Sequence, residues 1–216
     1  ILWNTVRTIY KNTSGSHVVF EEENRDLNLI FQYGSTSSEK YGVVKEARII
    51  DNGKETRSVE ILDGCRNILP ACVDSEFQNE NSVLLDAYKK TDILEKAALA
   101  VFSVSSVITD KAEPNEGLYA NTAWFSCKTP VYLSPRCPEL FKYGQPIPNV
   151  SVVKGERPAF YTVITLDKNR KDKEYSWYQV FDTSLDHTRI NALNSELLAR
   201  DTVTQALEAD IADGQR

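Results

Sequence analysis

Four cysteines in two close pairs, Cys65/Cys72 and Cys127/Cys137, are the residues of this chain best suited to chemistry. Thiols at short spacing can close a disulfide, hold a metal or attack an electrophile, and the intervals choose among these. The first pair closes CRNILPAC and the second CKTPVYLSPRC, giving C-x6-C and C-x9-C. Zinc sites take ligands about two to four residues apart within a pair, and redox chemistry uses C-x-x-C. Neither interval fits, and the two histidines, His17 and His187, lie far from both pairs in sequence. Disulfides are the expectation, with local pairing 65–72 and 127–137 favoured because each pair flanks a proline-bearing turn. The other connectivities and buried free thiols stay open. Bridges of this kind place a protein in an oxidising compartment: secreted, at a cell surface or periplasmic. Each would close a loop of about 8 to 11 residues and remove about 2.5 kcal/mol of unfolded-state entropy. That pins loops more than it holds a fold.

Other constellations carry less. A Ser/His/Asp set can be drawn around His187, but no G-x-S-x-G elbow accompanies it. Glu21-Glu22-Glu23 reads as a solvated edge, and no oxygen-ligand loop of EF-hand type is present. No residue is assigned to catalysis, to a cofactor or to a metal. The sequons Asn12-Thr13-Ser14 and Asn149-Val150-Ser151 match the roughly two that composition alone yields. Aromatic residues suggest a recognition site instead. Trp124 and Phe125 precede Cys127, Tyr132 lies inside the second cysteine loop, and Phe141 and Tyr143 follow it. Rigid rings on an ordered loop bind at low entropic cost.

The order Arg7, then Ser35-Thr36-Ser37, then Gln78-Asn79-Glu80 resembles that of ADP-ribosyltransferases of the bacterial toxin branch. Those enzymes use an early Arg, S-T-S at a strand start and Q-x-E or E-x-E. The resemblance implies a transferase in which Arg7, Ser35 and Glu80 meet in one cleft.

The chain has 216 residues, 41% of them apolar, enough for a sizeable core and one globular domain over 1–216. A net charge of −6 argues against nucleic acid as a main partner, because phosphate binding needs a concentrated cationic surface. The basic stretch Lys168–Lys173 reads as a solvated loop. Methionine is absent, and the chain opens on Ile1-Leu2-Trp3, as in a processed or excised form. The longest uncharged apolar run, Ala97–Ile108, falls short of the roughly 20 residues that span a bilayer.

The elements that must position these residues alternate between β and helical patterns. Thr5–Tyr10 and His17–Phe20 read as strands across a turn at 12–16, and Leu27, Leu29 and Phe31 alternate with Asn28, Ile30 and Gln32. Asn52-Gly53 between Tyr41–Ile50 and Glu55–Leu62 predicts a hairpin with a type I′ turn. From Ser82 to about Val107 a three-to-four spacing predicts a central helix, buried over its apolar second half, although β-branched residues after Val101 also suit a strand. Glu113–Gly117 breaks the chain. Leu118–Ser126 returns to β, Thr129–Pro158 reads as an ordered irregular loop, and Phe160–Leu166 with Glu174–Asp182 predicts a second hairpin. Thr188–Ile211 is an amphipathic helix broken near Arg200. The class is α+β: a mainly antiparallel sheet, one central buried helix and a C-terminal amphipathic helix.

The function that fits is a non-enzymatic extracellular or surface subunit that binds a protein partner or assembles with itself: an adhesin, appendage, virion or receptor-like domain. Two alternatives are a lipocalin-like carrier of a small apolar ligand and the transferase.

Overall fold

The computed structural model describes residues 4–13, 15, 17–53, 57–105, 118–167 and 172–214. The fold is α+β and mainly antiparallel β, as the alternating patterns imply. Among the described residues, twelve strands form two sheets. The larger has nine strands: β1 (Thr5–Lys11), β2 (Val18–Asn24), β3 (Leu29–Ser38), β4 (Gly42–Asp51), β6 (Lys89–Leu94), β7 (Leu99–Val104), β8 (Ala120–Phe125), β10 (Val152–Lys154) and β12 (Glu174–Leu185). Its order is β1-β2-β3-β4-β12-β8-β7-β6-β10. The smaller has three strands, β5 (Val59–Arg66), β11 (Ala159–Leu166) and β9 (Val131–Tyr132), in the order β5-β11-β9. The large sheet runs open from β1 to β10 and does not close into the barrel of a lipocalin-like carrier.

Three layers result. On one face of the large sheet lie α3 (His187–Glu196) and α4 (Arg200–Gly214), joined by the 3-10 turn Leu197–Ala199. Asp186 caps α3 by accepting from the Arg189 N–H at 2.8 Å. The apolar stripe read from the sequence is the buried one: Ile190, Leu193, Leu197, Val203, Leu207 and Ile211 pack with Tyr41, Val44, Trp124 and Val180. On the other face lies the small sheet, where Phe102, Phe125, Phe160, Ile164 and Trp177 share a second core. The break near Arg200 has a use. Its buried guanidinium donates to the Phe125 and Ala97 carbonyls and lies 5.6 Å from the Trp124 ring centre. Burial holds its pKa below the ordinary arginine value.

Three expectations about local pairing fail. The central helix α1 runs from Ser75 to Tyr88, earlier than its expected span, and places only Leu85 in a core, with Val73 and Val104. Asp74 starts it by accepting from the Phe77 N–H at 2.8 Å. The rest of the expected helix is the β6–β7 hairpin, turned at Ala98 with φ 43°, and the start of the apolar run is β7. A strand covered on both faces is apolar throughout, which is how it imitates a buried helix.

Asn52-Gly53 does not make a hairpin. β4 pairs with β3 and β12, whereas β5 pairs with β11 in the other sheet. Neither Asn52 nor Gly53 has the positive φ of a type I′ turn. Asp51 instead accepts from the Gly53 N–H (2.9 Å) and pairs with Arg57 (2.7 Å), a corner at which the chain changes sheets. β11 and β12 likewise belong to different sheets. The expected break at 113–117 and most of the basic loop, residues 168–171, lie outside the described residues. Within Thr129–Pro158 the chain forms β9, β10 and a short helix, α2 (Cys137–Lys142). No helix among the described residues is long and apolar enough to cross a membrane.

Candidate recognition surface

The small sheet is three strands wide and the large one nine, so among the described residues one face of the large sheet is only partly covered. Registers across β1, β2, β3, β4 and β12 put Ile9, Phe20, Tyr33, Ala47 and Trp177 in one row on that face. The adjacent row holds Arg7, Glu22, Phe31, Ile49 and Tyr175. Ring contacts join the two rows: Phe20–Tyr33 is stacked at 5.2 Å, Phe31–Tyr33 lies at 5.9 Å, Phe31–Trp177 at 6.2 Å and Tyr175–Trp177 at 5.8 Å. Exposure grows outward along this ladder. Trp177 is 1% exposed, Tyr33 41%, Phe20 39% and Ile9 65%.

The inner end of the ladder is locked. Trp177 Nε1 donates to Asp63 Oδ2 at 2.7 Å, and Asp63 also pairs with Lys45, whose ammonium lies 5.9 Å from the Tyr33 ring centre. A buried carboxylate with an indole and an ammonium as partners is satisfied, and it fixes the ring against which Phe31 and Tyr175 pack. The rim carries the Arg7–Glu22 pair at 2.8 Å. A rigid aromatic row with a polar rim has the make-up of a protein-binding patch. The strand at its outer edge, β1, keeps an unbroken register with β2 over seven residues and contains no proline. Of the devices that protect edge strands, β1 has charged side chains, Arg7 and Lys11, but neither proline nor bulge.

The opposite face of the same strands is polar. A groove of about 320 Å³ there is lined by His17, Gln32, Glu46, Arg48, Glu174 and Tyr178, among others. Gly34 forms part of its floor, and a Cβ at that position would sit 2.9 Å from the Val18 carbonyl and 3.2 Å from His17 Nε2. α4 is tied to the end of β3 at Asp210, which accepts from the Ser38 hydroxyl and the Lys40 N–H. Burial, with Glu208 and Glu46 nearby, pushes the Tyr178 phenol up to about 12.

The residues singled out in the sequence are placed differently. Trp124 and Phe125 point to opposite faces of β8 and are each 1% exposed, so neither is available to a partner. Consecutive strand residues must alternate in this way. Tyr132 packs beside Cys137, Ala159 and Tyr161, Phe141 is half-buried, and Tyr143 alone of the five is well exposed. The recognition loop is thus dispersed, and the aromatic surface lies on the N-terminal strands. Phe31 and Tyr33, two apart on one strand, were its sequence signal.

All four cysteines are free thiols, so the 65–72 and 127–137 bridges are not formed. Cys65 faces Gln179 (3.7 Å) across the interlayer core, and Cys72 is an exposed turn residue with φ 64°. Cys127 contacts the Thr129 hydroxyl at 3.2 Å, and Cys137 is buried at the start of α2. Each pair is divided between core and loop by the strand or helix that one member belongs to. Arg7, Ser35 and Glu80 do not converge either. Arg7 is on the edge strand β1, whereas Glu80 is on α1, which leads into β6, eighth in the sheet order. Among the described residues no group of three or more His, Cys, Asp or Glu is placed to hold a metal ion.

No family model matches the chain, and no curated protein does. Among solved structures it is similar to a bacterial glucoamylase complexed with acarbose, with a TM-score of 0.52 at 7% identity. The match covers 97% of this chain and 28% of the glucoamylase chain. That likeness describes fold alone.

Proposed function

We propose that this chain is a non-catalytic binding and assembly domain whose N-terminal strands dock a second copy of itself through the exposed aromatic ladder. The observation that carries the reading is the ladder: ring contacts continuous with the core run out to β1, a strand with β2 as its one sheet partner among the described residues. The outer rings leave apolar surface in water whose burial is favourable by about 25 cal/mol per Å². The Arg7–Glu22 pair at the rim would give register to the contact. An extracellular setting belongs to the same proposal, but with four free thiols it has no disulfide to rest on.

Sedimentation velocity over a concentration series tests this. The wild-type protein shifts from monomer to dimer by high micromolar concentration. Phe20→Ser combined with Tyr33→Ser remains monomeric with an unchanged circular dichroism spectrum. A wild-type protein that stays monomeric throughout, or a double variant that dimerises equally well, overturns the proposal.

A further inference from the structure

Far from the aromatic ladder, three arginines surround one opening. Arg66, Arg136 and Arg157 line a cavity of about 560 Å³ with Asn67, Pro135 and Glu156. A second pocket of about 200 Å³ shares Asn67 and Arg157 and continues to Gln78, Asn79 and Lys89. The two form one cleft between the end of the small sheet, α1 and the start of α2.

The arginines arrive from three separate segments on backbone that is held in place. Arg66 ends β5, Arg136 immediately precedes α2, and Arg157 lies in the turn before β11. The Ile68 N–H donates to the Pro158 carbonyl at 3.2 Å, and the Cys137 N–H donates to the Ser134 carbonyl at 3.1 Å. Asn67 takes the left-handed conformation, φ 60°, that turns the chain between Arg66 and Ile68.

Charge in this cleft is unbalanced. Arg157 and Lys89 share one carboxylate, Asp86, at 3.0 and 2.7 Å. Lys89 is 2% exposed and forms the back wall, with the Gln78 amide as its second partner. Burial alone would raise the Asp86 pKa, yet Lys89 and Arg157 outweigh it and hold the carboxyl below its usual range. Neither Arg66 nor Arg136 forms an ion pair with any described residue. Four cations therefore face two carboxylates, Asp86 and Glu156, in a protein of net charge −6. Like charges gathered against the sign of the whole molecule repel one another, and an anion relieves that repulsion. Guanidinium groups are planar forks that match the oxygens of phosphate and sulfate. The cavity is of the size that takes small ligands.

We infer that this cleft binds a phosphate or sulfate ester of a hydroxyl-rich small molecule. Arg66 and Arg136 grip the ester oxyanion, and Arg157 completes the cradle from its place beside Asp86. The amide side chains of Asn67 and Asn79 face the hydroxyl-bearing body in the narrower extension. Uncharged polyols lack the group that the cleft recognises. The inference is independent of the aromatic ladder.

Isothermal titration at low ionic strength, with glucose 6-phosphate, glucose 6-sulfate and glucose as probes, tests it. At least one ester binds, glucose does not, and added salt weakens the complex. Arg66→Gln and Arg136→Gln each reduce affinity about tenfold, as the loss of a charge-assisted contact does, and the double variant abolishes binding. Lys96→Gln, an exposed charge outside the cleft, leaves affinity unchanged. Preference for one ester names the source of the oxyanion. Absence of binding by both esters, or full affinity in the double variant with an intact circular dichroism spectrum, overturns the inference.

Discussion

Replacing Arg200 with methionine keeps an unbranched apolar stem and removes the guanidinium with its charge and its donors. In the folded protein this guanidinium supplies the Phe125 and Ala97 carbonyls from a position 7% exposed, with the Trp124 ring beside it. Both carbonyls lose that donor in Arg200→Met, and a buried acceptor left without a partner costs roughly 1–3 kcal/mol. Against this stands the desolvation of the guanidinium, which the variant no longer bears. The balance is a loss of about 3 kcal/mol, and for a chain of this length about 2–4 °C per kcal/mol gives a Tm roughly 10 °C lower. Arg200→Lys keeps the charge but not the two-pronged reach and falls between. Urea unfolding followed by tryptophan fluorescence measures the difference, since Trp124 lies against the substituted side chain. A methionine variant within 1 kcal/mol of wild type would show that the junction of α3 and α4 repacks without a polar tie, and the reasoning would be wrong.

Four further outcomes follow from the same geometry. Native thiol titration finds Cys72 reacting fast and Cys137 protected, its thiol pushed up to about 11 by burial, with four reactive thiols in denaturant; a mass lower by two bridges would contradict this. In an ultraviolet pH titration the Tyr178 phenol ionises last, near 12, and Tyr178→Phe deletes that phase. Its folded pKa is raised, so the stability it contributes is complete below the ordinary phenol pKa of about 10 and is lost as pH climbs toward 12. Asp86 has the opposite sign: its stabilisation is complete above the ordinary carboxylate range and is lost as pH falls through its lowered pKa, so Asp86→Asn flattens the acid limb of the stability curve. Asp63→Asn weakens the Lys45 pair and loosens Trp177. It lowers stability by about 2–4 kcal/mol and also weakens dimerisation, because Phe31 packs on that ring and Tyr33 on Phe31; unchanged association in a destabilised variant would separate the ladder from its anchor.

Where a segment's own residues decide its structure, the sequence showed it. The strip Ile190–Ile211 buries the face its spacing marks, and the break near Arg200 is real because that side chain must turn inward. β1, β2 and β3 pair with their sequence neighbours, so local turns suffice. Partner choice was not legible. Asn52-Gly53 joins two good strands, but alternation says which face is apolar and not which sheet receives the strand. The candidate surface was hidden for a related reason. Phe20 and Tyr33 carry the same aromatic pattern as buried Trp177, and only the width of the small sheet leaves them in water. The four arginine and lysine side chains of the cleft are spread from Arg66 to Arg157, so no window of sequence contains them.

The exchange of strands between the sheets also governs how the polypeptide can be made. β5 finds its neighbour only when Val59 meets Leu166 and Arg66 meets Ala159, and β4 waits equally long for Glu174–Phe181. Contacts so distant in sequence make folding slow. During synthesis the first three strands can already pair, with the ladder bare and two edges open, while their cover has yet to be translated. A chain interrupted before β11 would lack the middle strand of the small sheet, β12 of the large one and both helices of the third layer, and such a fragment would aggregate where the complete chain folds.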